Sequence, residues 1–333
     1  MNWINDINLK NKYIKLTFFK IIALALLSVF FYSGCKSSKK DNTATLLLLL
    51  ALSSSSSGTC NGSTATTGTT ATVSAAALDA TSGCVTGVTT CMDTALPAWI
   101  KSNFKCSTAY VSGTSYIFKS QNVPNTKSYY YTSYSGQTAS TTAPLYEALP
   151  SGNSKAGTNV VASQKLSYTI PSSPTKGTGT DGTQAGLVSI GITVNGLAIF
   201  NNAAAPPDTL AAEALTFDNF QGHPQNSGVY HHHAAVPKVC DSAASTSNSG
   251  ACFNSALIGI ILDGYAIYGQ RCKTSSTATE FTPTDLDSLH GHTAVTEHFT
   301  TATYHYHYKN DTTATIYSLM GSFFYGNKGS VSN

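Results

Sequence analysis

From about residue 115 onward, apolar and polar positions alternate over short distances, and turn-forming residues break the pattern repeatedly. Residues 116–118, 166–170 and 187–194 are rich in β-branched and aromatic side chains, which suit a pleated, half-buried surface. Helical spacing is rare. Residues 93–101 predict one short helix that covers the core with Trp99 and Ile100. Residues 208–215 predict another, capped by Asp208 after Pro206 and Pro207. Asn195-Gly196 and Asp263-Gly264 each lie between apolar runs and predict hairpins with type I′ turns, whose residues take positive φ. The expected fold is mainly β, a single β-rich domain with few short helices.

The same alternation places the histidines. Residues two apart on a strand share a face. The Tyr-His-His-His run at 230–233 therefore puts His231 and His233 together, and the Tyr-His-Tyr-His-Tyr run at 304–308 does the same for His305 and His307. All nine histidines lie between His223 and His307. Each run also follows a matching frame. Residues 217–223 read Phe-Asp-Asn-Phe-Gln-Gly-His, residues 286–292 read Leu-Asp-Ser-Leu-His-Gly-His, and residues 191–200 match 259–268. Three ordered matches at a nearly constant offset of about 70 residues indicate an internal duplication, with copies at 187–234 and 257–308.

Paired imidazoles on one strand face make half of a metal site, and the Gly-His unit of each frame supplies a third ligand. The candidates are His223, His231 and His233 in the first copy, and His292, His305 and His307 in the second. Asp218 and Asp287 precede the lone histidine at the same place in each frame. They suit partners that accept the other ring proton and fix the imidazole tautomer, with direct ligation as the alternative. Three imidazoles with an open position fit Zn(II) or Cu(II). The six rings are expected to converge in one shared pocket or two neighbouring ones. Metal affinity should fall as pH drops through the histidine range near about 6.5. His232, His290 and His298 lie outside the repeated pattern. The competing reading is structural, with Tyr-His ladders hydrogen-bonded to aspartates and backbone in a polar core.

The intact Tyr-His-Tyr-His at 304–307, the Asp263-Gly264 and Tyr268-Gly269 pairs and the Gly-His units carry a family likeness. On these residues the chain resembles the YHYH-domain proteins, over roughly residues 90–326. The resemblance implies a β-rich domain of that family, and metal binding follows from the motif's chemistry. The first copy departs from the motif, with His232 where the second tyrosine would stand.

Charged residues make up only 11% of the chain, the net charge is +3 and Arg271 is the single arginine, so no basic stripe suits nucleic acid. No Gly-x-Ser-x-Gly elbow, His-Glu-x-x-His helix or phosphate loop is present. A metal-dependent extracytoplasmic enzyme of unstated substrate and a tyrosine-rich adhesion or ligand-binding protein stay as alternative functions.

The N-terminus points to export. Lys10, Lys12, Lys15 and Lys20 precede an apolar run at 21–31, which has signal-peptide length and falls short of the about 20 residues that span a bilayer. Tyr-Ser-Gly-Cys at 32–35 resembles a bacterial lipobox, with Tyr32 in place of the usual aliphatic residue. The expectation is a lipoprotein signal peptide over 1–34, a lipid anchor on Cys35, a tether over 35–77 rich in Ser, Thr and Gly, and a domain over 78–333. That places the protein in the cell envelope, periplasmic or at the outer membrane or surface, with membrane lipid as its partner. Eight cysteines fit an oxidising compartment. Lipidation of Cys35 leaves an odd number, with Cys60 expected free or bonded to another molecule and Cys84, Cys91, Cys106, Cys240, Cys252 and Cys272 expected in up to three disulfides, first Cys240–Cys252 and second Cys91–Cys106. No Cys-x2-Cys pair favours a zinc-thiolate site.

Overall fold

The structure is a computed structural model, which describes residues 60, 77–131, 144–177, 189–233, 254–311, 316–318 and 324–333. The expected signal peptide over 1–34, Cys35, and Cys240 and Cys252 lie outside the described residues. Among the described residues, no helix is long and apolar enough to cross a membrane.

The elements run β1 (Cys91–Met92), α1 (Ala98–Asn103), β2 (Thr108–Ser112), β3 (Ser115–Ser120), β4 (Leu166–Pro171), β5 (Gly191–Thr193) and β6 (Ala198–Ile199). They continue with α2 (Leu210–Ala214), β7 (His223–Pro224), β8 (Tyr230–His232), β9 (Leu257–Ile261), β10 (Ala266–Tyr268), β11 (Gly291–Ala294) and β12 (Thr303–His307). Last come β13 (Lys309–Asp311), β14 (Ile316–Ser318) and β15 (Ser330–Ser332). The fold is mainly β, as expected. Strands β1-β2-β3-β4-β15 form one sheet, β11-β12-β10-β9-β5-β6-β8-β7 form a second, and β13 pairs with β14. A buried cluster joins the two larger sheets, with Phe118, Tyr168 and Ile170 from the first meeting Ile192, Ile199, Ile260 and Ile267 from the second.

The eight-stranded sheet is the duplication made visible. Its outward order from the centre is β5-β6-β8-β7 on one side and β9-β10-β12-β11 on the other. The internal registers repeat as well. Ile199 pairs with His232 in a parallel ladder, and Ile267 with Tyr306 likewise. His223 lies opposite His231, and His292 opposite His305, in antiparallel ladders.

Both predicted hairpins form, but with a different turn. Gly196 donates to the Thr193 carbonyl and Gly264 to that of Ile261, and the ladder resumes at Leu197 and Tyr265. Only the glycines take positive φ, +79° and +91°, while Asn195 and Asp263 do not. That is a type I turn followed by a left-handed glycine bulge rather than a type I′ turn. A Cβ on Gly196 would lie 2.6 Å from the Cys106 carbonyl oxygen, so packing as well as φ demands glycine there.

The helices are shorter than expected. Pro97 precedes α1, and the Asp93 carboxylate holds a separate turn by accepting from the Ala95 amide. Thr209, not Asp208, caps α2, its hydroxyl accepting from the Ala212 amide at 3.2 Å. The disulfides also differ. Cys91 bonds Cys60, and Cys106 bonds Cys84, with Cα separations of 5.8 and 5.4 Å. Cys60 is therefore not a free thiol, and the expected Cys91–Cys106 bond does not form. The reason is tertiary: β1 lies beside β2, and the turn before β2 aims Cys106 at the loop that carries Cys84.

Candidate metal centres

The predicted pairs face as strand alternation requires, and each lone histidine of a Gly-His unit joins its pair. His223, His231 and His233 form one buried group, and His292, His305 and His307 form a second together with Cys272. In each group the facing atoms lie within 4.8 Å of one another. The two groups do not share a pocket, nor are they neighbours. Five strand steps of about 4.8 Å separate β8 from β12, or roughly 24 Å across the sheet.

Every ring is held from behind through Nδ1. His231 Nδ1 bonds the Val229 carbonyl at 2.9 Å and His233 Nδ1 the Asn201 carbonyl at 2.6 Å. In the second copy His305 Nδ1 bonds the Thr303 carbonyl at 2.9 Å and His307 Nδ1 the Gly269 carbonyl at 2.6 Å. His292 Nδ1 bonds the Asp285 carboxylate at 2.7 Å. His223 Nδ1 lies 2.7 Å from the Thr216 hydroxyl, which itself donates to the Glu213 carbonyl and so accepts from the ring. Carbonyls and carboxylates only accept, so all six rings carry their proton on Nδ1. In the neutral rings the Nε2 atoms then present bare lone pairs inward.

Those lone pairs are crowded. His231 and His233 bring their Nε2 atoms to 3.0 Å, and His292 and His305 to 3.1 Å. Two acceptors at that distance have no proton to share. Cys272 Sγ lies 3.3 Å from both His292 Nε2 and His307 Nε2, and one thiol proton satisfies only one of them. His223 Nε2 is buried without a hydrogen-bond partner. A buried acceptor left unsatisfied costs about 1–3 kcal/mol, and each of the two groups could hold a metal ion. Four of the six rings resist protonation. Burial first, then mutual repulsion, drives His223 and His307 down to about 3, and burial drives His305 down to about 4 and His231 well below the usual histidine value. A tetrahedral zinc with Zn–N of about 2.0–2.1 Å spaces its nitrogen donors roughly 3.3 Å apart, close to the spacings here.

Asp218 and Asp287 do not serve the imidazoles. Asp218 accepts from the Tyr230 hydroxyl at 2.8 Å and from the Phe220 amide at 2.9 Å. Asp287 accepts from the Tyr304 hydroxyl at 3.0 Å and from the Leu289 and Gly291 amides. Each aspartate pins its loop against the tyrosine face, opposite the histidines. The Gly-His glycine makes room for that contact: a Cβ on Gly222 would lie 2.4 Å from Tyr230, and one on Gly291 2.2 Å from Tyr304. Tyr306 extends the pattern by donating to Asp263. The ladder is thus divided, with tyrosines on aspartates and histidines on backbone carbonyls, Thr216 and Asp285.

Three residues that sequence reasoning passed over belong to the centres. Asp285, rather than Asp287, orients His292. Glu213 on α2 reaches 3.2 Å from His233 Nε2 and 3.9 Å from His223 Nε2. Cys272 is the free cysteine among the described residues and is buried. It was expected in a disulfide, and the odd cysteine left after Cys35 is here Cys272 rather than Cys60. His298 sits apart, bonded to Tyr268 and Asn103, and His232 points to the other face.

Fold and sites together define a duplicated β-sheet protein with two buried centres rich in imidazole. Residues 167–284 match the model of the family described as YHYH protein, which supports a YHYH domain over that segment. The matched segment contains the first copy with Tyr230–His232 of β8, and it ends before the Tyr-His-Tyr-His run at 304–307. No curated protein and no solved structure matches the chain.

Proposed function

We propose that this protein is an exported lipoprotein, anchored through Cys35, whose YHYH domain binds a transition metal, Zn or Cu, at two histidine centres. The observation that carries the metal reading is the set of bare Nε2 lone pairs converging at 3.0–3.1 Å, with every Nδ1 proton already committed outward. Imidazole nitrogen alone suits both metals. His223, His231 and His233 hold one ion, and His292, His305 and His307 the other, with the backbone carbonyls keeping each ring in its ligating tautomer. Two disulfides among the described residues fit an oxidising compartment, which agrees with export. The test is elemental analysis of the full chain, purified without a histidine tag and dialysed against Zn(II) or Cu(II). Two equivalents per chain are expected. A chain that stays metal-free sinks the proposal.

A further inference from the structure

The two centres differ in the donor that completes them. In the second, Cys272 Sγ stands 3.3 Å from two of the three Nε2 atoms, giving a three-histidine, one-cysteine set of four. By the repeat offset, the first copy has Ala204 at that position. Its additional donor comes from elsewhere, the Glu213 carboxylate on α2. Surroundings differ too. A cleft of about 510 Å³ reaches the first centre, lined by Glu213, His223 and His231 and by the polar side chains of Lys155, Gln225 and Asn226.

Resting on the metal-binding reading above, we infer that duplication has produced two unlike centres. The second is closed by the Cys272 thiolate, and the first, backed by Glu213, leaves its metal accessible to a small anion from the cleft. Thiolate with three imidazoles fills a tetrahedron, the arrangement of a structural site. Binding there forms a metal–sulfur bond and releases the thiol proton to water. Cys272 is held in place by a pair of backbone hydrogen bonds with Phe281, so the sulfur is positioned before metal arrives. Glu213 is a harder and less symmetric donor, 3.2 Å from one imidazole and 3.9 Å from another. With Lys155 in its wall, the cleft over a divalent ion suits an anionic ligand.

Cobalt(II) distinguishes the two. The full chain, titrated with Co(II), should take two equivalents and show a near-ultraviolet thiolate-to-cobalt charge-transfer band that Cys272→Ser removes. Azide should then shift the visible bands of the chain and of Cys272→Ser alike, and have no effect in His223→Ala. Circular dichroism and a thermal melt establish that each variant is folded, and Cys272→Ala provides a second removal of the sulfur. Two bound equivalents without the band, a band that survives in both cysteine variants, or an azide response in His223→Ala overturns the inference while leaving metal binding intact. No cobalt bound at all overturns the metal reading itself.

Discussion

Ile192 of β5 lies directly opposite Ile260 of β9 in an antiparallel ladder, and the two are equivalent positions of the repeat. Antiparallel pairing of equivalent residues is what a local two-fold axis produces. The halves therefore meet through the same strand of each copy. The glycines beside that contact are constrained in matching ways: a Cβ on Gly191 would lie 2.6 Å from the Ile260 oxygen, and one on Gly259 2.2 Å from the Ile192 oxygen. Gly259→Ala is expected to lower stability by about 1–3 kcal/mol, because only backbone can move away. A thermal melt equal to that of the parent would show that the seam tolerates a side chain.

Removing one histidine pair should empty one centre. His305→Ala with His307→Ala is expected to lower bound metal from two equivalents to one, since the first centre lies at the other end of the sheet. His298→Ala should change nothing in metal content, its ring being tied to Tyr268 and Asn103. Metal analysis of both variants decides, and equal content in the double variant and the parent would contradict the assignment.

Asp218 offers a test of the divided ladder. Asp218→Ala leaves the Tyr230 hydroxyl and the Phe220 and Gly222 amides without their acceptor, for a loss of at least about 1–3 kcal/mol. Metal affinity should hold nearly constant. An orienting partner of a ligand imidazole would instead cost about 10–100-fold in affinity when removed.

The metal-free chain should be acid-sensitive. Burial holds His223, His231, His232, His305 and His307 below 6.5 in the folded state, with His232 and His305 at about 4. Between those values and 6.5 the unfolded chain takes up more protons, so stability present above pH 6.5 is lost as pH falls. Asp218 and Asp263, raised to about 6 by burial, act in the opposite sense between 3.8 and 6. Five imidazoles outweigh two carboxyls. Denaturation midpoints measured in chelator should be lower at pH 5 than at pH 7. The same burial moves proton competition for the metal below the 6.5 expected from ordinary histidines.

The anchor can be checked separately. Cys35→Ala is expected to abolish lipid labelling and move the protein from the membrane fraction to the soluble fraction. Labelling that persists would remove Cys35 as the acceptor.

Much of this protein was legible along the chain because strands have a period of two. Alternation alone assigns His231 with His233 and His305 with His307, and the recurring frames bring in His223 and His292. Both turn glycines and the two halves follow from the same local patterns. What the chain alone did not reveal depends on which strands become neighbours. The β5–β9 seam sends the two centres to opposite ends of the sheet. The loop geometry turns Asp218 and Asp287 toward tyrosines, because a five-residue spacing through a turn does not specify a face. Cys272 joins His292 and His307 from 20 and 35 residues away, and Glu213 joins His223 and His233 from 10 and 20, with no local pattern to announce them. Local sequence sets which side chains share a face, while only packing decides what that face meets.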